Sequence, residues 1–169
     1  MKLLKFSLFA LLLSSTLFIA CSDDDSDDND MQQMTIAEIV AGDARFTTLL
    51  SALERTDLDA TLSASGTFTV FAPTNEAFDD LGVDLTTLTD EQLTDILLYH
   101  VLGNEVAAGS IPTGNSYVTT ASTAGPDDTQ LSLFINNSNG AVLLNDSISV
   151  VQTNIDASNG IVHVIDGVL

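Results

Sequence analysis

Thr67-Phe68-Thr69-Val70-Phe71-Ala72-Pro73-Thr74-Asn75-Glu76-Ala77-Phe78 reads as a strand that turns a corner into a helix. Phe68, Val70 and Ala72 alternate with Thr69, Phe71 and Pro73, and the second set is itself partly apolar, so the strand is expected to be covered on both faces. Pro73 cannot donate to a sheet ladder. Thr74 can cap the first helical turn with its hydroxyl, and Glu76 then stands where the helix dipole favours an anion. The stretch holds no nucleophile, metal cluster or phosphate loop, so its polar trio Thr74, Asn75 and Glu76 is read first as a helix cap and sheet brace and second as a candidate binding site.

Upstream of the corner the chain is organised in three parts. Residues 1–20 combine Lys2 and Lys5 with the apolar run Phe6 to Ala20, which has the charge, length and small-residue end of a secretory signal. A membrane-spanning helix needs about 20 mostly apolar residues, whereas this run is shorter and is interrupted by Ser14, Ser15 and Thr16. Leu17-Phe18-Ile19-Ala20-Cys21 resembles a bacterial lipobox, with Phe18 at the position where that motif prefers leucine. The resemblance implies cleavage before Cys21 and lipidation of its thiol; the alternative is an ordinary signal peptide that leaves a free thiol nearby. Cys21 is the only cysteine, so the fold must be stable without an internal disulfide.

Residues 21–34 are expected to be the lipidated cysteine and an acidic, disordered tether, because Ser22 to Asp30 is a self-repelling run with nothing apolar to bury. Asp23, Asp25 and Asp27 have the alternate spacing of a calcium loop but lack its glycine and its closing glutamate. Cys21-Ser22-Asp23-Asp24-Asp25 resembles the acidic export signal of bacterial surface lipoproteins, which implies an outer-membrane lipoprotein facing the cell exterior. Loss of residues 1–20 removes Lys2 and Lys5 and no acid, taking the formal charge from -20 to -22. Such a surface repels nucleic acid and anionic headgroups, so attachment to a membrane must come from lipid rather than charge.

Residues 35–169 form one domain without a second linker or a repeat. Thr35-Ile36-Ala37-Glu38 is a capping box opening a helix closed by Gly42, and Asp43 can cap the next. There Phe46, Leu49, Leu50 and Leu53 make an apolar stripe opposite Arg45, Thr48 and Ala52. Asn75 to Leu81 is a short helix ended by Gly82, and Thr89-Asp90-Glu91-Gln92 starts another through His100, with Leu93, Ile96, Leu97 and His100 on its buried face. Strands follow at Ser116–Thr120, Gln130–Ile135, Ala141–Leu144, Ser147–Val151 and Ile161–Ile165. Asn139-Gly140, Asn145-Asp146 and Asn159-Gly160 mark their turns, and Ala121 to Thr129 reads as an exposed loop. Helices first and a mostly antiparallel sheet later define an α+β fold.

These residues carry a family resemblance. Thr69 to Phe78, Leu97-Leu98-Tyr99-His100-Val101-Leu102 and Asn159 to Asp166 resemble, in order, the first box, the Tyr-His segment and the second box of the fasciclin domain, also called the FAS1 or beta-Ig-h3 domain. The resemblance covers 35–169 and implies a fasciclin-like wedge of two packed β-sheets with several helices in the N-terminal half. It also implies an extracellular adhesion module that binds a protein, matrix or glycan partner, without catalysis and without a cofactor. In some animal members integrin binding is assigned to the Tyr-His segment, matched here by Tyr99 and His100, and to an acidic-apolar motif before the second box. At that second position Gln152-Thr153-Asn154-Ile155-Asp156 keeps little of the pattern beyond Ile155.

The candidate binding residues are therefore Thr74, Asn75, Glu76, Tyr99 and His100, on ground around Pro73 to Phe78 and Tyr99-His100 expected to be exposed, together with the loop Ala121 to Thr129. Asn159, Gly160, His163 and Asp166 are the structural motif of the second box. His100 is expected to be a buried imidazole with both nitrogens hydrogen-bonded internally. His163 should lie on the opposite sheet face from Val162 and Val164, half exposed or packed at an edge. The two histidines lack metal-ligand spacing, and no Gly-x-Ser-x-Gly elbow supports a serine hydrolase. Asn136-Asn137-Ser138 and Asp146-Ser147-Ile148 match short glycosylation patterns. The alternative functional reading is an accessory component of a surface polysaccharide-handling system, and behind it an uncharacterised hydrolase.

Overall fold

Thr35 starts the first helix as its sequence dictates: its hydroxyl accepts the Glu38 N–H at 3.3 Å, and the Glu38 carboxylate accepts the Thr35 N–H at 2.7 Å. The computed structural model describes residues 33–138 and 140–169, all within one compact unit, Met31–Leu169. The expected signal segment 1–20, Cys21, the expected tether as far as residue 32, and Asn139 lie outside the described residues. Met34, read as the end of the tether, already belongs to the domain, since its carbonyl accepts the Ser158 N–H at 2.9 Å.

Helix α1 (Ile36–Gly42) is followed by Asp43 in extended backbone, so Gly42 is the last helical residue rather than a left-handed stop. Asp43 accepts the Arg45 N–H at 2.9 Å and turns the chain through a 3-10 turn into α2 (Thr47–Arg55). Phe46, Leu49 and Leu53 are buried as the stripe requires. Ala52 is buried as well, a correction to the expected polar face. An additional short helix, α3 (Leu58–Ser63), packs against α1 and α2; it is entered through Asp57 in the left-handed conformation and has no side-chain cap to advertise it. The helices α4 (Asn75–Leu81) and α5 (Asp90–Tyr99) carry the expected caps, and Gly82 closes α4 with φ 64°.

Seven strands, β1 (Phe68–Pro73), β2 (Val101–Leu102), β3 (Gly114–Thr119), β4 (Ser132–Ser138), β5 (Ala141–Leu144), β6 (Ile148–Ala157) and β7 (Gly160–Ile165), run in the order β2-β1-β7-β6-β5-β4-β3. Only β1 and β7 are parallel, with Val70 opposite Val162 and Phe71 opposite His163. Both are central strands, which explains their nearly unbroken apolar runs. The strand β6 is twice as long as its apolar pattern foretold: Leu144 faces Ile148 at one end, while Val150 to Ala157 pair with β7. Two register shifts, between Val150 and Gln152 and between Gln152 and Ile155, interrupt that pairing. Bulges of this kind bend a strand and increase its twist.

Even-numbered residues of β1 and β7, including Val70, Ala72, Val162 and Val164, enter a core shared with Phe46, Leu49, Leu53, Leu93 and Leu97 from the helices. Phe71 and Ile165 point the other way and join Leu102 in a second core with Leu133, Ile135, Val142 and Leu144. Two leaves of sheet therefore pack face to face across the second core and are joined through β6, in an α+β fold of two packed sheets. The central strand delivers the corner at Thr74, and the helical core fixes α4 and α5 beside it.

Candidate functional site

Thr74 leaves β1 in extended backbone, continues the ladder by donating its N–H to Ile165 O at 3.4 Å, and accepts the Ala77 N–H on its hydroxyl at 3.3 Å. Asn75 reaches across to the start of α2. Its Oδ1 accepts the Thr48 N–H at 3.0 Å and the Thr47 hydroxyl at 3.2 Å, while its Nδ2 donates to Ala44 O at 2.9 Å. Phe46, at the N-cap position of α2, supplies no side-chain cap, so Asn75 meets from a distance the need for a hydrogen-bond acceptor that every helix N-terminus has. Glu76 is exposed, and together with Thr74, Asn75, Ala44 and Arg45 it surrounds a surface hollow of about 280 Å³. Pro73, Ala77 and Phe78 are buried, which corrects the expectation of open ground along the whole corner.

Tyr99 and His100 are sequence neighbours that serve different cores. Tyr99 is half-buried against the second core; its hydroxyl donates to Ser132 O at 3.2 Å and accepts from Asn145 Nδ2 at 3.4 Å. His100 is only 2% exposed, so the pair is not one open patch. Its Nδ1 lies 2.7 Å from Ile96 O, and its Nε2 accepts the Leu169 N–H at 2.9 Å. An acceptor role for Nε2 leaves the ring proton on Nδ1. Beside it, Pro73, Phe78, Leu81, Leu93, Ile96 and Val168 contribute to a mostly apolar cavity of about 300 Å³.

Burial pushes the His100 imidazole down to about 4, against a partial rise from its hydrogen bond to Ile96. Burial also lowers His163, partly offset by Val106. For His100, the unfolded chain holds a proton that the folded chain refuses between the ordinary value of 6.5 and about 4. Stability is therefore full above that window, falls as pH drops through it, and levels off below. The loss is on the order of 3 kcal/mol at about 1.4 kcal/mol per pH unit. His100→Gln is expected to flatten the decline of the urea unfolding free energy between about pH 7 and about pH 4.5; an unchanged slope in the variant would contradict this assignment.

His163 is 1% exposed, not half exposed or at an edge. It sits in the central strand β7, stacks on Phe71 with ring centroids 5.5 Å apart, donates from Nε2 to Val106 O at 2.9 Å and accepts the Asn154 N–H on Nδ1 at 3.2 Å. Asn159 is buried, with Oδ1 accepting the Ile36 N–H at 2.9 Å and Nδ2 donating to Leu62 O at 2.7 Å and Ala64 O at 2.9 Å. Gly160 lies opposite Phe68. The Asp166 carboxylate accepts the Ser149 N–H at 2.7 Å. The loop Ala121 to Thr129 is largely exposed but pinned at its base, where Ala121 N donates to Val101 O at 2.7 Å and Ser122 O accepts the Leu131 N–H at 3.0 Å.

Two positioning residues escaped the sequence reading. Thr69 is buried in β1, donates its hydroxyl to Asn104 O and accepts the Val106 N–H, both at 2.8 Å. Asn154, left-handed at φ 56°, accepts the Ala108 N–H at 2.9 Å. A threonine inside an apolar strand was the one available signal for the first; the second had none. Among the described residues no group of three His, Cys, Asp or Glu side chains is placed to hold a metal ion.

The geometry defines an α+β scaffold whose corner is tied to the Tyr-His segment by the Phe71 N–H donating to His100 O and to the last strand by the Thr74 N–H donating to Ile165 O. The family model for the fasciclin domain matches residues 44–169, and the chain belongs to that family. Protein sll1483 of Synechocystis sp. is 39% identical over 141 residues, covering 80% of this chain and 73% of that protein. The transforming growth factor-beta-induced protein ig-h3 of Oryctolagus cuniculus is 37% identical over 138 residues, and there the match spans 80% of this chain but 19% of the relative. Among solved structures, a FAS1 domain pair from the insect cell adhesion molecule fasciclin I superposes with a TM-score of 0.63 at 18% identity, covering 80% of this chain and 50% of that one.

Proposed function

We propose that this protein is a surface-displayed, non-catalytic binding module that attaches its cell to an extracellular protein, matrix or glycan. The observation that carries this reading is the internal engagement of the candidate polar groups. Asn75, His100, Asn159 and His163 direct their hydrogen-bonding atoms at the scaffold, so recognition falls to the outer surface of the domain. Its insect structural neighbour is a cell adhesion molecule, in keeping with that role. Display is assigned to the N-terminal segment: a leader of residues 1–20, a lipidated Cys21 and an acidic tether ending before Met34 that hold the domain at the outer membrane, facing outward. Among the described residues no helix is long and apolar enough to cross a membrane, and in this reading the lipid does the anchoring.

The test is made in the cell. Removal of residues 35–169 with the leader and tether kept should abolish attachment to immobilised matrix protein or polysaccharide, and Cys21→Ser should release the intact domain from the membrane fraction. Attachment unchanged by the deletion would overturn the binding role; a membrane-bound Cys21→Ser chain would overturn the anchor.

A further inference from the structure

The strand β3 is an edge strand, and its outward face meets that of β4 in three matched cross-strand pairs. Asn115 is opposite Asn136, Tyr117 opposite Phe134, and Thr119 opposite Ser132. The central pair is aromatic, with ring centroids 5.1 Å apart and planes tilted by 55°. Tyr117 is 72% exposed, among the most exposed large hydrophobic side chains of the domain, while Phe134 beneath it is half-buried and props the ring. Aromatic cross-strand pairs stabilise a sheet face, and this one does so while leaving the Tyr117 ring open to solvent.

The flanking pairs supply amides on one side and hydroxyls on the other. Successive residues on one strand face are about 7 Å apart, so the face presents hydrogen-bonding groups, an aromatic platform and more hydrogen-bonding groups along about 13 Å. Charge narrows the occupant further. The chain carries 24 Asp and Glu side chains, yet residues 106–126 and 129–145, which contain both strands, have no Asp, Glu, Lys, Arg or His. Asp127 and Asp128 lie in the exposed loop that joins the two strands, and Asp146 stands at the margin, 3.5 Å from the Asn136 amide nitrogen. A neutral face within an acidic molecule offers no counter-charge to an ionic ligand, and the surrounding carboxylates repel an anionic one.

We propose that the outward face of β3 and β4 is a binding site for a neutral glycan chain, a pyranose ring stacking its C–H face on Tyr117 while its hydroxyls bond the Asn115–Asn136 and Thr119–Ser132 pairs. Aromatic side chains with a polar tip suit such half-apolar, half-wet partners. The assignment rests on the binding-module reading and names its ligand class.

The full protein, purified with its anchor in detergent, is titrated against neutral cello-, xylo- and manno-oligosaccharides and against anionic oligogalacturonides as contrast. Saturable binding to a neutral series is expected, with Tyr117→Ala weakening it by about tenfold or more and Tyr117→Phe by no more than about threefold. A cooperative thermal transition in Tyr117→Ala, lowered only by the small contribution of the aromatic pair, establishes that the fold survives. Silence on every neutral series, equal binding by Tyr117→Ala, preference for the anionic series, or a change of oligomeric mass on Tyr117→Ala, which would mark the edge as a contact between two copies, each overturns the proposal. Loss of cell attachment on removal of 35–169 despite such a result would leave the binding-module reading standing and the glycan face rejected.

Discussion

Gly160→Ala is expected to be the most damaging single substitution in the domain, costing about 4 kcal/mol or preventing soluble accumulation altogether. Gly160 has φ 146°, a conformation that side chains rarely adopt, at the point where β7 lies beside β1. A Cβ built there stands 2.0 Å from Phe68 O and 2.7 Å from Phe68 N. Both are backbone atoms, so no side chain can swing aside, and relief requires the parallel β1–β7 pairing to separate at its first rung. Phe68 N also donates to Asn159 O at 3.0 Å, which holds the two strands together at that level. Gly140, also at positive φ but with open space around it, is the control: Gly140→Ala should cost only about 1 kcal/mol, from backbone strain alone. Urea unfolding of the two variants separates steric approach from conformation, and a Gly160→Ala protein as stable as Gly140→Ala would refute the packing argument.

Asn159→Ala follows, with an expected loss of about 3 to 4 kcal/mol from two buried hydrogen bonds and one part-buried, since each stranded buried group costs about 1 to 3 kcal/mol. The Ile36 N–H belongs to the first turn of α1, where no intrahelical acceptor exists; Thr35 serves Glu38, and Asn159 serves Ile36. The same side chain ties down the end of α3 through Leu62 O and Ala64 O. Asn159→Asp keeps the acceptor but turns a carboxylate toward two carbonyl oxygens, so it should rescue nothing. Hydrogen exchange gives the specific readout. The Ile36 amide should lose protection in Asn159→Ala well before amides of β7 do, and wild-type protection there would sink the assignment.

Much of the framework was legible from local chemistry. Both capping boxes, the Thr74 cap, the Gly82 stop and the Asn145-Asp146 turn, with φ of 49° and 59°, stand where the residues placed them. The exceptions have physical causes. The helix α3 has six residues and no cap, too short to show a period. The far half of β6, Gln152 to Asp156, is polar and largely exposed, and only its backbone pairing with β7 makes it a strand. His163 was misjudged because alternation tells which face a residue takes but not that the chain between β2 and β3 covers that face through Val106 O.

The candidate site was legible as a set of residues, not as a set of roles. A polar side chain that will meet a ligand and one that will meet a distant backbone group are the same letter in the sequence. The corner Thr67 to Phe78, the α+β order and the acidic balance were determined by the sequence itself, because they depend on neighbours a few residues away and on summed charge. Tertiary structure alone decided that Asn75 caps a helix 27 residues upstream, that His100 accepts from an amide 69 residues downstream, and that Asn159 serves one 123 residues back. It also decided that Tyr117 stands on Phe134 in the open. Partners so far apart meet only once the cores have closed, which is why hydrogen-bonding capacity written in the sequence acquires its direction only in the fold.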